Sequence, residues 1–196
     1  MSKLNVDTIE PEGASTTLTL GASGDTVTIP SGATIANSGT ASGFGLFSSY
    51  AIIADQKAQN TDGGTATSGA WRERDLQTEI ADPDSIVSIS SNQFTLAAGS
   101  YLIKWYTGAR KVMAHQTRLY DVTGTAEVEV GTSEQSHTDA PESSYKSMGA
   151  ARVSPGSSNV YSIEHQVNTT KATEGWGTAA NFGVEQYTTV EIYKEA

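Results

Sequence analysis

The sequence predicts an all-β protein in two parts, a short N-terminal β-repeat segment followed by a two-sheet β-sandwich. Three observations carry this. From Tyr50 to the C-terminus, short runs of alternating apolar and polar residues recur with Gly, Pro, Asn and Asp between them. All fifteen aromatic residues (Phe 4, Trp 3, Tyr 8) lie at Phe44 or later. Residues 1–45 hold seven Gly and fourteen Ser or Thr instead. The composition divides the chain into residues 1–45, rich in Gly, Ser and Thr, and residues 46–196, a sandwich.

A segment of about 45 residues without Trp or Tyr buries too little apolar area to offset the roughly 1–2 kcal/mol per residue that backbone ordering costs. It is a flexible Gly/Ser/Thr tether, or it folds against copies of itself. The alternation in Thr17-Leu18-Thr19-Leu20, Thr26-Val27-Thr28-Ile29 and Ala33-Thr34-Ile35 favours the second. These are read as three short strands of an intertwined stalk with Leu18, Leu20, Val27, Ile29 and Ile35 as its core.

In the second part the strand positions are 50–55, 70–77, 85–90, 93–97, 100–107, 114–121, 126–131, 145–153, 159–167, 179–184 and 187–194. The clearest is Val160–Val167, in which Tyr161, Ile163, His165 and Val167 share the core face. Trp71–Ile80 has good helix formers, but too few apolar residues recur at three-to-four spacing, so it reads as an exposed strand. Tyr187–Tyr193 alternates and places the C-terminus in a sheet.

Charge and composition exclude several classes. Lys plus Arg number 12 against 22 Asp plus Glu, a net charge of −10, which argues against general nucleic-acid binding. With no Cys there is neither a disulfide, a thiolate metal site nor a thiol nucleophile. The opening residues lack an apolar signal core, and runs such as Ala51–Ala54 are too short to span a bilayer, so a soluble, unprocessed chain without membrane insertion is expected.

Chemistry is sparse. His115, His137 and His165 lack second ligands at metal-site spacing, so no metal site is expected. His165 reads as a hydrogen-bonded core or interface residue, and His115 and Arg118 fall on opposite strand faces. Asp82 and Asp84 flank Pro83, and Asp139 and Glu142 flank Pro141. Such carboxylates suit turn stabilisation better than a two-carboxylate glycosidase cleft or a calcium loop. Nucleophile-elbow, phosphate-loop and dinucleotide fingerprints are missing. Asn168-Thr169-Thr170 has the form of a glycosylation sequon. No catalytic residue and no cofactor is assigned.

Surface recognition remains. Trp176, between Gly175 and Gly177, reads either as a ring tucked into the sandwich edge or an intersubunit seam, or as a ring presented on a loop for surface recognition by sugar stacking or protein contact, with the tucked ring favoured. Arg110 and Lys111 form one of few basic spots, and His137 lies in a long polar connection, 132–144, suited to a tip loop.

Two resemblances follow from specific residues. Phe94-Thr95-Leu96-Ala97-Ala98-Gly99-Ser100-Tyr101 resembles the second hairpin of the trimeric jelly rolls of the complement globular-head and tumour-necrosis-factor superfamily, with Gly99 turning between two inward rings. Ala151–Ile163 and the closing strand 187–194 are similar to later units of that fold. The opening Val6-Asp7-Thr8-Ile9-Glu10-Pro11 and the run Leu18–Gly32 are similar to N-terminal segments of tailed-bacteriophage tail-fibre proteins. Trp71-Arg72-Glu73-Arg74-Asp75-Leu76-Gln77-Thr78 and Asn92–Leu96 resemble pieces of the modules that end such fibres. The resemblances imply an all-β, trimeric jelly-roll head, residues 46–196, on a short β-repeat stalk, residues 1–45, that serves for attachment and trimerisation. The implied protein is a non-enzymatic virion tail fibre that displays the head for host recognition and adsorption. Its partners would be itself, other virion proteins through the N-terminal segment, and a host-surface glycan or protein. A capsid decoration or head-fibre protein that stabilises the particle is the alternative.

Overall fold

A computed structural model describes residues 20, 22–32, 46–138 and 143–196. The chain divides into two units, Met1–Ala41 and Ser42–Ala196. In the first, the described residues contain turns at 23–24 and 31–32 and no strand, so the strand expected at 26–29 does not form within the single chain. Among the described residues of this unit the large apolar side chains lie open, with Leu20 at 59%, Val27 at 57% and Ile29 at 48% exposure. Backbone pairing needs a neighbour, and a lone short run supplies none. Leu18, Ile35 and the strands expected at 17–20 and 33–35 fall wholly or mostly outside the described residues.

The second unit is all-β, with no helix among its described residues. Its strands are β1 (Phe47–Lys57), β2 (Arg72–Glu73), β3 (Thr78–Ala81), β4 (Val87–Ser90), β5 (Gln93–Leu96), β6 (Tyr101–Arg110), β7 (Met113–Asp121), β8 (Ala126–Val130), β9 (Glu134–Ser136), β10 (Ser144–Val153), β11 (Asn159–Val167) and β12 (Glu185–Glu195). One sheet has the order β10-β6-β12-β1-β3. The other runs β4-β5-β11-β7-β8, with β2 also on β11 and β9 also on β7. All pairs are antiparallel. First strand pairs with last, and the chain changes sheet at every step except β4 to β5, β7 to β8 and β8 to β9. That is the winding of a jelly-roll sandwich.

Register sets the core in rows. Across the five-stranded sheet Ala51, Ile192, Ile103 and Ala151 align, followed by Ile53, Val190, Trp105 and Gly149. Phe94, Tyr161, Ile163 and Leu119 face them from the other sheet and are buried. Phe94 and Tyr161 stack with centroids 5.8 Å apart. The turn after β5 depends on Gly99, whose φ of +151° suits glycine and whose Cβ position lies 3.3 Å from the Tyr101 ring.

Two expected strands differ. Of 70–77 only Arg72–Glu73 is strand, and the segment is not exposed throughout, because Arg74 and Leu76 are fully buried. Residues 179–184 form a loop despite their alternation. The Glu185 carboxylate accepts hydrogen bonds from the backbone N–H groups of Ala180 (2.8 Å) and Asn181 (2.7 Å), which curls the segment away from any ladder. Phe182 is left 96% exposed. The turn role of Asp82 is clear: its carboxylate accepts from the N–H groups of Ile86 (2.8 Å) and Val87 (2.9 Å). Asp84 accepts from the Ser49 hydroxyl at 2.6 Å. Asp139 and Glu142 lie outside the described residues.

Candidate functional site

One residue pair beyond the Trp105 row, the interior turns polar. Asp55, Thr188, Thr107 and Ser147 align across the five-stranded sheet, all buried, and His165 and Thr117 pair across the other. Buried polar groups need partners, and most here have them. Trp105 Nε1 donates to Thr117 Oγ1 at 2.8 Å, and the Thr117 and Ser147 hydroxyls share a 2.7 Å hydrogen bond. Thr107 Oγ1 lies 3.1 Å from His165 Nδ1, and His165 Nε2 lies 3.0 Å from His115 Nδ1. His165 is thus a hydrogen-bonded core residue, as its strand pattern indicated. His115 faces the interior and Arg118 does not, again as the alternation required.

Arg74 closes this layer from the segment between β2 and β3. Its Nε donates to Thr188 Oγ1 at 3.2 Å and its Nη1 to the Gly108 carbonyl at 3.3 Å, while Nη2 is buried without a hydrogen bond. The guanidinium sits 4.2 Å from the Trp176 ring centroid, and that ring stacks on His165 at 4.9 Å. A cation held against an aromatic face recovers part of its lost hydration. Burial pushes Arg74 down to about 10, against the opposing pull of Asp55 and then Asp75. Burial also raises the Asp55 carboxyl, which Lys57 at 3.0 Å and then Arg74 partly offset. Burial lowers both imidazoles, His115 to about 4, so both are neutral near pH 7.

These contacts match the tucked reading of Trp176 and correct its candidacy as a surface-recognition ring. Its ring is 8% exposed and forms part of the interior stack. The loop carrying it is laced to residues 63–66: Gly63 N–H donates to Gly177 O at 2.9 Å, and Lys171 and Ala66 exchange two hydrogen bonds of 2.9 Å. Gly63 and Gly177 leave no room for a Cβ against Trp176 and Tyr187. Arg110 and Lys111 gather with Lys171 around Glu174: Arg110 pairs with its Oε2, and Lys111 and Lys171 lie 3.3 and 2.9 Å from Oε1. Lys171 first, with Lys111 and Thr178, holds this carboxyl down at about 2. The basic spot therefore anchors the Trp176 loop. His137 is exposed in the connection before β10, its N–H donating to Ser143 Oγ at 2.7 Å. The connection is not wholly loop, because Glu134–Ser136 pairs with β7.

Beside the polar layer, on the seven-stranded sheet, lies an open groove of about 480 Å³ lined by residues of the 69–71 loop, β7, β9 and the end of β11. Trp71, Gln116, Glu134, Gln166 and Asn168 are among its walls. Arg118 sits 4.5 Å from the Trp71 centroid and 4.6 Å from that of Tyr120, and its Nε donates to Glu164 at 2.7 Å. Of these wall residues, the sequence had marked Trp71 within a resemblance motif, Asn168 within the sequon and Glu134 within the 132–144 connection, with nothing to bring them together. The strand amides read as a solvated face. Among the described residues no group of three or more His, Cys, Asp or Glu could hold a metal ion.

No family model matches the chain, and no curated protein matches it. In structure it is similar to the globular domain of zebrafish complement 1qA protein, with a TM-score of 0.48, 10% identity, and 74% of this chain and 95% of that one covered. It is similar to murine APRIL at pH 8.0, with a TM-score of 0.46, 10% identity, and coverage of 74% and 98%. It is also similar to PRD1 vertex protein P5, with a TM-score of 0.44, 11% identity, and coverage of 78% and 100%.

Proposed function

We propose that the chain is a bacteriophage virion protein, a short tail fibre whose jelly-roll head is displayed as a homotrimer for host-surface recognition and adsorption. The observation that carries self-assembly is the outer face of the five-stranded sheet. Alternation turns Leu102 and Tyr106 of β6, Tyr193 of β12, Tyr50 and Ile52 of β1 and Met148 of β10 away from the core. Tyr50 and Met148 are 44% and 43% exposed, and Phe47 packs on Tyr193 at 5.2 Å. The face also carries Lys104 and Glu191, both in contact with Tyr193, and a mixed aromatic and aliphatic patch of this kind is suited to cover by a second copy. The open Leu20, Val27 and Ile29 give the N-terminal segment the same need. The similarity of Val6–Pro11 and Leu18–Gly32 to tail-fibre N-termini supports the virion setting.

Adsorption by such a protein rests on multivalency. Three copies on one rigid body raise avidity by about 10²–10⁴ over a single weak site. The test is competition: purified full-length chain, added to host cells before phage, reduces adsorption of particles that carry it. Undiminished adsorption, with particles that fall apart when the protein is deleted, would instead establish the capsid-decoration role.

A further inference from the structure

We infer that the groove between Trp71 and the ends of β7, β9 and β11 is a binding site for a neutral saccharide, one or two hexose or N-acetylhexosamine units at the end of a surface glycan. This names the ligand class for the recognition proposed above and rests on that reading. The groove's volume, about 480 Å³, is in the range of small-ligand sites. Its walls are those a sugar needs. A pyranose ring presents an apolar C–H face and a rim of hydroxyls, each both donor and acceptor, so its site combines an aromatic plane with groups that accept and donate.

Trp71 supplies the plane, and Arg118, 4.5 Å from its centroid and tied to Glu164, fixes the indole before any ligand arrives. A preset ring costs little entropy on binding. Gln166 and Gln116 are direct cross-strand neighbours, and Gln116 Nε2 donates to Gly131 O at 2.9 Å, leaving its carbonyl oxygen as the open group. Among the hydrogen bonds of the described residues, none engages the side chains of Gln166, Asn168, Ser133 or Glu134. The groove thus holds amide, hydroxyl and carboxylate groups with unspent hydrogen-bonding capacity beside one aromatic ring. Charge narrows the class: no Lys or Arg lines the groove, Glu134 does, and the whole chain carries −10. Sialylated, sulfated and phosphorylated sugars are disfavoured.

The test uses the full chain and saturation-transfer NMR, with glucose, galactose, N-acetylglucosamine and lactose as probes and sialyllactose as the anionic control. The expected result is transfer to at least one neutral probe, a dissociation constant that weakens by about tenfold or more in Trp71→Ala, and weaker binding of sialyllactose. Gln166→Ala and Asn168→Ala alter exposed positions, leave thermal melting unchanged and weaken binding severalfold, which keeps the test meaningful if Trp71→Ala disturbs folding. Absence of binding by every neutral probe, or binding that none of the three substitutions changes, overturns the proposal. Competition with phage for host cells is read separately. A chain that competes yet binds no neutral probe leaves the recognition reading standing without this site, and one that binds sugar in the groove yet does not compete does the reverse.

Discussion

Trp105 and Gly149 face one another as register partners in the β6–β10 ladder, and the indole occupies the space that a side chain at position 149 would fill. The ring thereby completes a core row and places its Nε1 on Thr117, at the edge of the polar layer. A methyl group at 149 would collide with the ring, so Gly149→Ala is expected to destabilise the protein by about 1–3 kcal/mol through overpacking. Equilibrium urea unfolding measures this, and a variant as stable as the parent would refute the packing assignment.

The buried imidazoles give stability a pH dependence. His115 is lowered by burial to about 4 and His165 lies well below the ordinary value of 6.5. The unfolded chain therefore binds more protons than the folded one below about 6.5, and stability rises with pH in that range. For His115 the loss on acidification runs from about 6.5 to about 4. The charged groups that bear on the pair act in opposite senses: Glu134 favours protonation of His115, and Arg74 opposes it at both rings. Urea midpoints measured between pH 7.5 and 4.5 should fall with pH, and His115→Gln should flatten the slope.

Glu174 anchors the Trp176 loop through Arg110, Lys111 and Lys171. Glu174→Gln leaves three cations without their carboxylate and is expected to cost about 1–3 kcal/mol. Because the carboxyl is held near 2, its contribution is present above about 4.5 and is lost as pH falls toward 2. The parent and variant should therefore converge in stability at the acid end of a pH series.

Much of the sandwich was legible in the sequence. Asn159–Val167 matches its expected span because a central strand with one buried face alternates strictly, and His165 was placed on the core face by the same rule. The exposed strand read at Trp71–Ile80 is realised at its ends, as Arg72–Glu73 and Thr78–Ala81, while Glu134–Ser136 escaped notice, since three edge residues establish no period. At 179–184 the alternation is present without a strand, because capping by Glu185 overrides it. The buried stack was illegible for a different reason. His165 meets His115 and Thr107 across separations of 50 and 58 residues, and Arg74 enters the core from a segment whose pattern announced exposure. Trp176 was expected on a loop, and the loop is there, with its lacing to residues 63–66 turning the ring inward. In the groove, Gln116, Gln166 and Asn168 carry no periodic signal that separates a binding wall from a solvated one.

Self-association through the apolar outer sheet face and the open N-terminal segment is the central claim, and substitution separates its two parts. Leu102→Glu with Tyr193→Lys charges the sheet face without touching the core rows. Val27→Asp with Ile29→Asp charges the segment. Each pair is expected to lower the fraction of assembled protein, and circular dichroism should show the sandwich of each variant still folded.

The most direct measurement is the solution mass of the full-length chain by light scattering across a dilution series. The account predicts a mass of three chains, reduced in the charged variants. A mass of one chain, 20.6 kDa, at every concentration would contradict it.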